Sequence, residues 1–419
     1  MVDFNRNGYI NSKGDFDIAE GFARRVDSMR ASEIRALFAV ANRPEIISLA
    51  GGMPYLGKLP FDEISKIMET LVREHGPKLW QYGVAQGDEE LRETITKIVE
   101  LEGLDATAQE TVITAGSQQG LDSITRLFCD AGDVILAEAP NYVGALGVFR
   151  SYQVEVVNVE LDEEGIILAK LEKTIINTRA RGKRIKFLYS VPNFQNPSGI
   201  TLAVDRRKPL VELCKKYGIM ILEDNPYGLL SFDGQLYPTL RQHWKEGVIY
   251  LGSFSKFIAP GFRIGWIISP DSVRDKLVLS NESVLLCPSN ASSLTIEAYL
   301  KHFDWKTQLS AYREGYKDRC NQMIETIDEL LPNCKYNKPK GGFFLWLEMP
   351  EGSGVNSKDF LEAAVEAGVA YVPGTGFYDN GDGENFMRLS FCYPSVEEIE
   401  QGITRLANAL KKTYPEVKF

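Results

Sequence analysis

Seven short apolar runs, each set off from the next by an amphipathic stretch, constrain this chain more than any other feature. They lie at residues 111–114, 134–137, 154–157, 185–189, 219–222, 248–251 and 264–268. Several are too short and too uniformly apolar for a sheet with one wet face. Strands covered by helices on both sides read this way. Strand and helix in alternation predict an α/β unit with a mainly parallel sheet, and such sheets place ligands beyond the carboxyl ends of their strands.

After residue 290 the pattern changes. Long helical stretches over 294–331 lead to Gly341-Gly342-Phe343-Phe344-Leu345-Trp346-Leu347, then to a helix near 358–366, the stretch Phe386-Met387-Arg388-Leu389-Ser390-Phe391 and a terminal helix over 395–411. This predicts a second, α+β unit. The chain has 419 residues, enough for two or three domains. The expected division is an N-terminal segment with part of a small domain (1–60), a large domain (61–300) and a C-terminal small domain (301–419). A further helix is predicted over 28–41, where Ile34, Leu37, Phe38 and Ala41 recur at helical spacing.

Composition excludes several classes of function. A formal charge of −10 argues against non-specific nucleic-acid binding, which needs a basic face to displace counterions. No run approaches the roughly 18 apolar residues of a membrane span, and the polar first residues do not read as a signal peptide. Six scattered cysteines without a Cys-x-x-Cys pair read as reduced thiols of a cytoplasmic protein. The three histidines, His75, His243 and His302, are far apart, so neither a catalytic metal nor a histidine triad is expected.

The chemistry must come from the strand ends. Gly252-Ser253-Phe254-Ser255-Lys256 follows an apolar run directly; two hydroxyls and a lysine there can hold a phosphate and present an amine beside it. Arg263, seven residues beyond the lysine, supplies a planar, permanently charged phosphate partner. Asp224 ends another run, three residues before Tyr227, and a carboxylate so placed can face the nitrogen of a cationic pyridine ring. Asn196, in Gln195-Asn196-Pro197-Ser198-Gly199, or Tyr227 could bond that ring's hydroxyl. Ala115-Gly116-Ser117-Gln118 joins a strand to a helix, where free amide groups attract phosphate.

Together these residues resemble the fold-type I aminotransferases that use pyridoxal 5'-phosphate (PLP), over about 31–410. The nearest branch holds the 2-aminoadipate and kynurenine aminotransferases and is also similar to the aminotransferase-like half of the MocR regulators. Further stretches that carry the likeness are Ala31-Ser32-Glu33-Ile34-Arg35, Leu49-Ala50-Gly51-Gly52-Met53-Pro54, Gln81-Tyr82-Gly83 and Pro339-Lys340-Gly341-Gly342. The resemblance implies a large PLP-binding domain, with a mainly parallel seven-stranded sheet between helices, and a smaller α+β domain from the two chain ends. It implies that Lys256 forms the Schiff base with PLP and shuttles a proton. Asp224 would pair with the ring nitrogen, Tyr227 and Asn196 with the ring oxygen. Ser117, Gln118, Ser253, Ser255 and Arg263 would hold the phosphate, Tyr142 would stack on the ring, and Tyr82 would reach the partner subunit's phosphate in a homodimer with shared sites. Arg388 would grip the substrate's α-carboxylate beside Asn196 and Gly52, and Arg35 would recognise a distal carboxylate or side chain.

The implied reaction moves an amino group from an amino acid of 2-aminoadipate, aromatic, kynurenine or branched-chain type to a 2-oxo acid, 2-oxoglutarate foremost, by a ping-pong mechanism. A PLP lyase splitting C–S bonds would share every cofactor residue. A regulator would need a winged-helix domain, for which about thirty residues before Arg30 are too few.

Overall fold

The computed structural model describes residues 15–29 and 43–419. In chain order its strands are β1 (Ile47–Ser48), β2 (Thr111–Thr114), β3 (Val134–Ala139), β4 (Glu155–Asp162), β5 (Gly165–Ile166), β6 (Ile185–Ser190) and β7 (Met220–Asp224). There follow β8 (Val248–Ser253), β9 (Gly265–Ile268), β10 (Lys335–Tyr336), β11 (Phe344–Glu348), β12 (Val369–Ala370), β13 (Val372–Pro373) and β14 (Phe386–Ser390).

The apolar runs form one sheet in the order β2-β9-β8-β7-β6-β3-β4-β5. Alternation along each strand shows why they are uniformly apolar. Ile135 and Ala137 of β3 pack with Leu121, Ile124 and Phe149 from the helices Ser117–Phe128 and Val143–Ser151. Val134 and Leu136, one residue out of phase, pack on the other face with Ile175 and Leu210 from the helices Leu168–Ala180 and Val204–Lys216. Fully burying each such side chain contributes about 1.5–3 kcal/mol. The β3–β4, β3–β6, β6–β7 and β7–β8 pairs are parallel. Among the described strands of this sheet, β9 runs opposite to β2 and β8, and the short β5 opposite to β4. The hairpin strand β5, two residues long, is the eighth member; a pattern of period two cannot show in so short a piece.

Beyond the large sheet, β10-β11-β14-β13 form a four-stranded antiparallel sheet. A core cluster joins it to the helices Glu89–Glu100, Trp305–Leu330 and Val396–Thr413 through Ile95, Tyr316, Ile327, Leu345, Leu389 and Leu406. The helical stretch predicted over 294–331 is two helices, Asn290–His302 and Trp305–Leu330. They break at Asp304, whose carboxylate accepts from the Thr307 amide at 3.2 Å and caps the second. The terminal helix starts at a capping box between Ser395 and Glu398. Arg24–Ser28 is a 3-10 turn, and the helix predicted over 28–41 otherwise lies outside the described residues.

One strap positions the site. β1 pairs in parallel with β12, the Leu49 amide donates to the Ala370 carbonyl at 2.8 Å, and the Ser390 amide donates to the Leu49 carbonyl at 2.8 Å. Residues 49–52 are thereby held between the small sheet and the carboxyl ends of the large one.

Candidate active site

Strand direction gathers the polar groups at one edge. β2, β3, β6, β7 and β8 point their carboxyl ends the same way, delivering Gly116-Ser117, Tyr142, Asn196, Asp224 and Ser253-Ser255-Lys256. Antiparallel β9 contributes its amino end instead: Gly265 sits opposite both Thr114 and Ser253, so Arg263 arrives at the same edge. The result is a cavity of about 510 Å³. Ser117, Gln118, Tyr142, Asn196, Asp224, Tyr227, Lys256, Arg263, Arg388 and Gly52 all line it, together with Tyr189 and Phe344.

At its floor is Asp224, 2% exposed. One carboxylate oxygen, Oδ2, accepts from the Tyr189 hydroxyl at 2.9 Å, while Oδ1 is buried without a hydrogen-bond partner. Burial pushes this carboxyl up to about 7; the Tyr189 bond and the Lys256 charge act against it, and nearby Glu138 adds to it. An orphaned, buried acceptor of this kind is costly unless a ligand completes it. A protonated ring nitrogen fits the place.

Lys256 stands beside Asp224. Its Nζ donates to the Gly52 carbonyl at 3.0 Å and lies 5.9 Å and 5.8 Å from the ring centres of Tyr227 and Phe343. Burial lowers its pKa, with Arg388 and Arg263 adding to the effect and the Cys392 thiol and Asp224 opposing it. An amine so placed is uncharged more readily than a surface lysine.

Arg388, on β14, is 2% exposed. Nη1 donates to Asn196 Oδ1 at 2.9 Å, Nη2 to the Ala50 carbonyl at 2.6 Å, and Nε is buried without a partner. Phe344 and Phe377 lie 4.2 Å and 5.1 Å from its guanidinium carbon. Burial lowers its pKa to about 10, so it remains a cation at neutral pH. No carboxylate among the described residues forms an ion pair with it. A buried cation without a counter-charge is expensive, and an incoming carboxylate would relieve it.

At the opposite end the groups suit an anion. Gly116 caps the helix Ser117–Phe128 with φ +85°, and a Cβ there would lie 2.6 Å from Arg263 Nη2. Arg263 itself adopts φ +54°, a left-handed conformation uncommon for a side chain of this size. Its Nη2 donates to the Ala115 carbonyl at 2.9 Å and its Nη1 to Ser255 Oγ at 3.4 Å; Ser253 Oγ donates to Ser255 Oγ at 2.9 Å. A helix start, a guanidinium and two hydroxyls make a phosphate cradle. Tyr142 Oη donates to Gln118 Oε1 at 3.2 Å, and Gln118 Nε2 donates to the Gly144 carbonyl at 3.0 Å.

One of the expected residues lies elsewhere. Tyr82 is 74% exposed and does not line this cavity, while Arg35 lies outside the described residues. Sequence reasoning also missed Tyr189, an aromatic inside a strand that reads as core. Among the described residues, no group of three His, Cys, Asp or Glu side chains could hold a metal ion.

Comparison with known proteins matches this geometry. The family profile "Aminotransferase class I and II" matches residues 44–406. Over 399 residues the chain is 39% identical to aromatic-amino-acid aminotransferase 1 of Thermococcus litoralis, covering 94% of this chain and 95% of that one. It is 34% identical over 398 residues to the 2-aminoadipate transaminase of Thermus thermophilus, covering 94% and 97%. Among solved structures, the kynurenine aminotransferase of Pyrococcus horikoshii in complex with PMP superposes with a TM-score of 0.89 at 38% identity, covering 95% of this chain and 98% of that one. With an orphaned carboxylate, a buried amine and a phosphate cradle around one cavity, this chain belongs to the class I and II aminotransferases, PLP-dependent enzymes of fold type I.

Proposed function

We propose that this transaminase takes the amino group of an amino acid of aromatic, 2-aminoadipate, kynurenine or branched-chain type and passes it to 2-oxoglutarate. The carrying observation is the buried, uncompensated Arg388 cation facing the same cavity as Lys256 and the unpartnered Oδ1 of Asp224. When bound, PLP supplies an aldehyde that accepts the amino group and a ring that draws electrons from the substrate's α-carbon.

The chain's own residues do the rest. Ser117, Gln118, Ser253, Ser255 and Arg263 would hold the phosphate, Tyr142 would pack against the ring, Asn196 and Tyr227 would bond its oxygen, and Asp224 would pair with its nitrogen. Arg388 grips the α-carboxylate beside Asn196. Gly52 lines the same cavity, where a Cβ would crowd the Phe344 ring at 3.0 Å. Lys256 Nζ, its basicity reduced by burial, takes the proton from the α-carbon, help worth about 10²–10⁴-fold. Arg35 reads the distal end of the substrate, a role that rests on the resemblance alone. Tyr82 reaches the partner's phosphate in a homodimer, and the six unpaired thiols suit the cytoplasm.

The test is to supply holoenzyme with a panel of amino acids and 2-oxoglutarate. Glutamate and the donor's 2-oxo acid should appear in equal amounts, with parallel double-reciprocal plots. Release of ammonia with pyruvate would instead favour the lyase reading. Arg388→Ala should lower kcat/KM by about 10²-fold or more while cofactor binding changes little; equal loss of both would remove Arg388 from substrate binding.

A further inference from the structure

Tyr189 is 1% exposed near the carboxyl end of β6, where an apolar side chain would fill the space without a polar atom to satisfy. Its ring packs edge-on against Phe149, with centroids 5.5 Å apart. The register explains what the hydroxyl reaches. Tyr189 pairs with Leu222 on β7, and Asp224 lies two residues further along the same face. A long aromatic side chain spans that diagonal, and its hydroxyl meets Asp224 Oδ2 at 2.9 Å. The other oxygen, Oδ1, is the one left without a partner beside the cavity.

We propose that Tyr189 is a positioning residue for transamination, fixing the rotation of the Asp224 carboxylate so that Oδ1 alone meets the ring nitrogen and the proton stays on the ring. This rests on the reading that Asp224 faces that nitrogen. A hydrogen bond donated to a carboxylate stabilises its charged form and makes it a weaker base. Without the bond, Asp224 would pull the proton toward itself, and the ring would draw electrons less strongly. The other titratable groups facing Asp224 are Glu138 on β3, Lys256 after β8, Tyr142 at the start of the helix Val143–Ser151, and Tyr227.

The experiment is a pH titration of the visible absorption of PLP-loaded enzyme, with PLP affinity measured on the same proteins. Tyr189→Phe keeps the ring and its packing. Its titration midpoint should rise by about 1 pH unit, the scale of one lost charge-assisted hydrogen bond. kcat should fall by about tenfold with KM little changed. Replacing Tyr189 by 3-fluorotyrosine, a stronger donor of the same shape, should move the midpoint down. Tyr250→Phe removes another buried hydroxyl, bound to Glu102 at 3.2 Å on the other face of the sheet, and should leave the midpoint in place. Asp224→Asn separates the two ideas. If Asp224→Asn moves the midpoint and Tyr189→Phe does not, the role of Tyr189 is overturned; if neither moves it, the reading of Asp224 fails as well. Equal shifts in the Tyr189 and Tyr250 variants would also overturn the proposal.

Discussion

Three buried carboxyl groups, Asp224, Glu102 and Glu223, are pushed up to about 7 by burial. Hydrogen bonds only partly oppose this: Asn225 and Tyr250 on Glu102, the Leu240 and Arg241 amides on Glu223, and Tyr189 on Asp224. In an unfolded chain these acids ionise near pH 4, by ordinary reference values of about 4. Between about pH 4 and 7 the folded protein therefore keeps protons that the unfolded chain has lost. The stability these groups contribute is fully present below that window and is lost as pH rises through it. In urea unfolding of cofactor-free protein, Asp224→Asn should flatten this slope, gaining about 2–3 kcal/mol relative to wild type between pH 5 and 8. An unchanged slope would mean that Asp224 is ionised throughout.

Among the elements, the turn from β2 into the helix Ser117–Phe128 is tightly constrained. Gly116 needs its positive φ, and a Cβ added at Gly265 would lie 2.6 Å from the Gly116 carbonyl carbon, so two glycines let two backbones meet beneath the phosphate cradle. Gly116→Ala should strain the turn by about 1–3 kcal/mol and displace Arg263. The expected readout, by fluorescence titration of the cofactor-free protein, is a PLP dissociation constant raised about tenfold with most of the thermal stability retained. The strands that carry these turns were legible because burial on both faces leaves an unmistakable apolar run. The helix break at Asp304 was not, since one capping aspartate inside an amphipathic stretch looks like any solvated residue. Lys256, Asp224 and Arg263 stood out only in company, as a lysine after two serines, an acid three residues before a tyrosine and an arginine seven residues beyond the lysine, and the fold brings all three to one cavity. Arg388 needed the family likeness: its neighbours include the Ala50 carbonyl, and backbone carbonyls leave no mark in a sequence. Tyr189 was hidden for the opposite reason, its polar atom riding on a ring that belongs in a core.

At the scale of the molecule, an apolar patch lies exposed among the described residues. Trp80, Tyr82 and Val84 are 67%, 74% and 62% exposed, and Leu286 lies near them because Asn290 Nδ2 donates to the Gln81 carbonyl and the Gly83 amide to Cys287 Sγ. A patch of this kind suits a second copy of the chain. Sedimentation should give a dimer, and Tyr82→Ala should weaken PLP binding by about tenfold without dissociating it; a monomeric, fully active enzyme would contradict the shared site. The strap through Leu49 carries a consequence for synthesis. It lies between β12 and β14, segments more than 300 residues downstream, and Arg388, on β14, lines the cavity and bonds the strap's Ala50 carbonyl. A nascent chain emerging amino end first can thus assemble its whole central sheet, lysine included, while the arginine proposed to grip substrate is still inside the ribosome. Half-made enzyme would hold the buried amine but lack the arginine proposed to bind the α-carboxylate.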